Sequence, residues 1–169
     1  MNSVEQFVKK QLINLQLPLN QGTLEVWHVP PIVENYTNPI AWVWTHTVEE
    51  KRLTAPRGEN KTGKMVAHET VISLRAFYNA GPVNDETIDQ GFATIIDLIL
   101  AVFRGQGVPL VTIPVEVTDD VTQVTSWIIS IGEEMSVQQP FPTLTGEEGQ
   151  GIIIRDADII LKITEQVNG

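Results

Sequence analysis

Polar and apolar residues alternate along this chain with two different periods, and the change of period marks out its elements. Val4, Phe7, Val8, Leu12 and Leu15 recur at helical spacing behind Ser3, with Gln6 three positions on. That pairing satisfies orphan backbone donors at a helix start. Pro18 stops the run, because proline lacks the amide hydrogen that a helix requires. The period then drops to two. Residues 24–29 have strand character and end at Pro30-Pro31, which cannot donate to a ladder. In 40–50, Ile40, Trp42, Trp44 and His46 point one way and Ala41, Val43, Thr45 and Thr47 the other. A longer strand is expected over 65–79, with Val66, Ile72, Leu74 and Ala76 on one face and Val71 and Phe77 on the other.

The turn Asn79-Ala80-Gly81-Pro82 returns the chain to helical spacing. Ile88, Phe92, Ile95, Ile96, Ile99, Val102 and Phe103 form a broad apolar stripe over roughly 85–104. Asn84 or Asp85 caps this helix, Asp85, Glu86 and Asp89 oppose its positive end, and Arg104-Gly105 closes it. Gly91 in its middle costs about 1 kcal/mol relative to alanine, which points to close packing there. Residues 110–117, 121–131 and 152–167 are β-like, and Asp119-Asp120 turns the first two into a hairpin. The expected fold is α+β, in the order α-β-β-β-α-β-β-β. It is one domain over 1–169, a single mostly antiparallel sheet with two helices on a face. Two long loops interrupt it. Residues 51–64 hold five of the eleven basic residues, and residues 132–151 are rich in proline and glycine. Loops this long inside a compact domain are uncommon and often functional.

Composition changes the picture mainly by exclusion. Hydrophobic residues are 42% and charged residues 19% of the chain, a globular balance. The apolar run at 95–103 is broken by Asp97 and is well short of the roughly 20 residues of a membrane span. Lys9 and Lys10 fall where a signal peptide would need its apolar stretch. The chain has no cysteine, so there is no disulfide framework and no thiolate zinc site, as expected for a chain folded in a reducing cytoplasm. The net charge of −10 is unevenly spread. Residues 1–84 carry eight Lys/Arg against seven Asp/Glu, and residues 85–169 carry three against fourteen. Such a distribution argues against nucleic acid as a tightly held ligand, because neutralising phosphates takes clustered cations.

No residue pattern nominates a catalytic centre, a metal site or a cofactor site. His28, His46 and His68 lack metal-ligand spacing; His46 and His68 could meet across neighbouring strands, but no third ligand is nominated. Asp156 and Asp158 point to the same side of a strand and could offer oxygen ligands to a hard cation, yet their flanks read as an ordinary strand with a polar outer face. The segment Gly146-Glu147-Glu148-Gly149-Gln150-Gly151 precedes a strand and carries two acids, whereas a phosphate cradle precedes a helix and avoids that repulsion. Trp42 and Trp44 share a strand face. They serve either as core and cross-strand contacts or as aromatic anchors toward a partner.

Taken in order, Trp42-Val43-Trp44-Thr45-His46, then Glu50-Lys51-Arg52 with a basic Pro/Gly loop, then Lys64-Met65-Val66-Ala67-His68 opening a long strand, the chain resembles neck and tail proteins of long-tailed bacteriophages. It is most similar to the tail terminator type over about residues 1–131. The resemblance implies a small helix-and-sheet fold that assembles as a homo-oligomeric ring, a hexamer, joining the tail tube to the head connector. It implies a virion protein made in the host cytoplasm, with no enzymatic activity and no membrane contact. Lys51, Arg52, Arg57, Lys61 and Lys64 would then form a docking loop toward a neighbouring subunit or ring. The acidic second half would let DNA pass through the lumen without binding it. Two other classes stay open on the residues alone: a module holding a small apolar ligand or peptide between sheet and helix, and an enzyme with acidic metal ligands.

Overall fold

The computed structural model describes residues 3–13, 15–18, 21–27, 38–52, 63–79, 85–104, 111–115, 124–145 and 151–168. Helix α1 (Ser3–Leu12) is followed by strands β1 (Glu25–Trp27), β2 (Ile40–Arg52) and β3 (Gly63–Asn79), then helix α2 (Asp85–Arg104). Strands β4 (Val111–Val115), β5 (Val124–Gln138), β6 (Thr143–Thr145) and β7 (Ile152–Asn168) complete the order. The protein is α+β, and its described residues place seven strands in one mixed sheet ordered β1-β2-β3-β7-β5-β4, with β6 also paired to β7.

Both helices lie on one side of the sheet because both carry a single apolar stripe. Val4, Phe7, Val8 and Leu12 of α1 join Phe92, Ile95, Ile96, Ile99 and Phe103 of α2 in one buried cluster. Its floor is Ala41 and Val43 of β2, Ile72, Leu74 and Ala76 of β3, and Ala157, Ile159, Leu161 and Ile163 of β7. Alternate residues supply this floor, as pleating requires. Gly91 lies where the side chain of Gln21 reaches α2: Gln21 Nε2 donates to the Gly91 carbonyl at 3.1 Å, and Tyr78 donates its hydroxyl to Gln21 Oε1 at 3.1 Å. The packing expected at this glycine is therefore against a polar side chain that ties the 21–24 segment to the helix.

Three expectations need correcting. First, the strand order has an additional member, because 132–151 is not one loop. β5 continues to Gln138, and β6 resumes pairing along the same edge of β7, Thr143 opposite Ile154 and Thr145 opposite Ile152. Among its described residues, Met135 and Val137 pack against the core, and its outward positions mask the period. Second, the 51–64 segment is shorter as a connection than its composition implies. Lys51 and Arg52 end β2, Gly63 and Lys64 open β3, and Arg52 pairs with Lys64. Third, a register shift between Thr45 and Thr47 sends Thr47 to the opposite face from Val43, across from Glu69. A bulge adds one residue to one strand and so inverts the alternation beyond it. The sheet is mostly antiparallel, as expected, with β1 running parallel to β2 and the remaining pairs antiparallel.

β7 is the centre of the sheet. It pairs with β3 along its whole length, from Gly63↔Asn168 to Asn79↔Ile152, and with β5 and β6 on its other side. β3 and β7 each have 17 residues, about 56 Å at ~3.3 Å per residue. The 20 residues of α2 span about 30 Å. That helix therefore cannot cover the strands from end to end.

Candidate functional site

The side of the sheet away from both helices is built from the outward positions of β2, β3, β7 and β5. Trp42 and Trp44 stand on it, opposite Ser73 and Val71. Neither indole joins the helix-side core: Trp44 is 39% exposed and Trp42 half-buried. Trp44 Nε1 donates to Ser73 Oγ at 3.0 Å, and Ser73 donates to Asp158 Oδ1 at 2.6 Å. Beside this chain, Arg75 holds Asp156 through two hydrogen bonds, Nε to Oδ1 at 2.7 Å and Nη2 to Oδ2 at 3.1 Å. The bond to Asp156 holds the Arg75 guanidinium above its ordinary value, against the opposing effect of burial. Asp156 and Asp158 do share a side, as their spacing implies, but the first is taken by a cation and the second by a hydroxyl. Trp42, Ser73, Arg75, Pro140, Asp156 and Asp158 border a shallow depression of about 280 Å³.

A second depression, of about 360 Å³, lies farther along the same face between Thr47, Glu49, Glu69, Glu134, Lys162 and Thr164. Three carboxylates here surround one ammonium. Lys162 bonds Glu134, which raises the lysine above its ordinary value, and Glu69 and Glu49 add smaller effects in the same direction. Lys51 is exposed one pleat beyond Glu49, opposite Met65. Among the other basic residues of the expected docking loop, Lys64 pairs with Glu50 at 2.6 Å. Arg52 closes the β2–β3 ladder through its backbone, and Arg57 and Lys61 lie outside the described residues.

His46 and His68 do not meet. His46 is exposed, its ring edge-on to Trp44 with centroids 5.8 Å apart, whereas His68 is buried, and the register shift beside His46 places Val48 opposite it. His68 Nε2 lies 3.5 Å from Glu165 Oε1, both side chains nearly enclosed. This pair was not legible beforehand, since the two residues are distant in sequence. Among the described residues no group of three or more His, Asp or Glu side chains is placed to hold a metal ion.

Phe141 is the other feature that sequence reading passed over. It is 94% exposed, between Pro140 and Pro142, in the break separating β5 from β6. The signal was present: flanking prolines remove two ladder donors, so a phenylalanine between them cannot continue a strand into the core.

No protein-family model matches this sequence, and no curated protein matches it.

Proposed function

We propose that this chain is a non-catalytic structural protein that works by self-association, a ring-forming tail terminator or related neck component of a long-tailed bacteriophage. In that role it joins the tail tube to the head connector and lets DNA pass without binding it specifically. The observation that carries the self-association is the sheet face away from the helices, where Trp44 stands 39% exposed beside half-buried Trp42. One side of an antiparallel sheet can face water, and is then ordinarily polar. Indoles on such a face are the residue type that anchors protein interfaces. The polar groups around them are ion-paired or hydrogen-bonded within the chain, which lowers the cost of removing them from water. The resemblance over residues 1–131 supplies the phage assignment, and the fourteen acids of residues 85–169 fit a lumen that repels DNA.

Light scattering on a size-exclusion column, followed by negative-stain electron microscopy, tests this reading. The expected result is a mass several times the 18.8 kDa of one chain and annular particles. A monomer at every concentration and salt would overturn it. A monomer that gains thermal stability from a small apolar compound would favour the ligand-binding module instead.

A further inference from the structure

We propose that the open face of the sheet receives the basic 51–64 segment of a second copy, an inference that rests on the self-association reading above and names its two surfaces. The receiving surface runs from Trp44 to the depression between Glu49, Glu69 and Glu134. Among the described residues that line the depression, Lys162 is the one ammonium set against those three carboxylates, so the depression itself keeps a negative surplus. Trp44 sits one pleat from Glu69, since its partner Val71 is two residues along β3. An exposed indole beside carboxylates suits lysine and arginine, which can stack on the ring while pairing with the acids.

The chain itself offers that ligand. Residues 51–64 hold Lys51, Arg52, Arg57, Lys61 and Lys64 against the single acid Glu59, whereas residues 85–169 hold three cations in all. Lys51 stands two residues beyond Glu49 on the same face of β2 and does not line the depression, so the basic segment begins at the margin of the receiving patch. Contact between unlike patches is heterologous, the kind of interface that closes into rings when the rotation allows. A two-fold dimer would need one patch to meet itself. Charge complementarity of this kind acts on encounter and orientation and weakens with salt.

Charge reversal tests the pairing. Glu49→Lys, Glu69→Lys and Glu134→Lys together reverse the face, and Lys51→Glu, Arg57→Glu and Lys61→Glu reverse the segment. Each triple variant should self-associate at least tenfold more weakly than wild type, and all six changes in one chain should restore association. Circular dichroism checks the fold. Because Glu69→Lys and Glu134→Lys each set a lysine against Lys162, the neutral triple Glu49→Gln, Glu69→Gln, Glu134→Gln serves if the reversed face does not fold. It should weaken association and flatten its salt dependence. Wild type that assembles while a folded face variant assembles equally well would overturn the docking surface and leave self-association standing. Failure of the six-fold variant to recover would overturn the pairing of these two patches. A monomeric wild type would instead remove the self-association reading itself, and this inference with it.

Discussion

Tyr78 shows how one side chain links the sheet to both its helix and its pH response. Its hydroxyl bonds Gln21, which in turn bonds the Gly91 carbonyl, so three distant segments meet at one amide. Burial pushes the Tyr78 hydroxyl from 10.0 up to about 12, with Arg155 nearby pulling the other way. A folded-state value above the unfolded one means that the folded protein keeps this proton longer. Its contribution to stability is full below the unfolded value and is lost as pH rises through the folded one. The stability difference between wild type and Tyr78→Phe should therefore narrow as pH is raised between the two values, followed by denaturant titration. A difference independent of pH across that window would show the hydroxyl to be solvated in the folded state. Polar residues also fix the open face: Ser73 passes a hydrogen bond from Trp44 to Asp158, so Trp44 is held by its nitrogen while its ring stays available.

Among the elements, α2 is the one whose sequence and packing agree most closely. Its bounds and its buried residues follow from one stripe of isoleucine and phenylalanine. Ile96 is 5% exposed and sits among Phe92, Ile95 and Ile99. Ile96→Ala should cost about 2–5 kcal/mol, from lost transfer energy and the cavity left behind. A loss under about 0.5 kcal/mol in denaturant titration, the size of an ordinary surface substitution, would place this helix outside the core. The strands were less legible. In β2 a single bulge inverts the alternation after Thr45, and nothing in the local pattern announces it. In the last part of β5 the outward residues Glu134, Ser136 and Gln138 are exposed, and among its described residues beyond Ile131, Met135 and Val137 mark the inner face, so this stretch reads as a loop until its partner β7 is in place.

At the scale of the molecule, the last strand in sequence is the middle strand in space. β7 joins β3 to β5 and β6, and its Ala157, Ile159, Leu161 and Ile163 carry the core floor between them. Hairpin neighbours pair most readily because little chain is closed between them. Here β3 must instead wait for a partner that follows α2 and three further strands. Truncation before Ile152 should accordingly abolish cooperative thermal unfolding measured by circular dichroism, even though both helices and six strands remain encoded. A truncated chain that still melts cooperatively would show that the sheet closes without its central strand. The same topology explains the site: Arg75–Asp156 and Ser73–Asp158 are β3–β7 neighbours, so the polar network of the open face exists only once β7 is inserted.

By itself the sequence determined whatever depends on neighbours a few residues apart. Those are the two helices with their apolar stripes, the faces of β3, the α+β class, and the placing of Trp42 and Trp44 together on one strand face. Periodicity records these because helix and strand geometry repeat locally. Tertiary structure alone decided the parallel entry of β1, the central place of β7, the pairing of β5 and β6 along one edge, and which face the helices cover. It also decided that the tryptophans face outward, beside Glu69 and the Arg75–Asp156 pair. These depend on contacts between segments far apart in the chain, and a pattern with period two is the same whichever strand lies alongside and whichever face becomes the core.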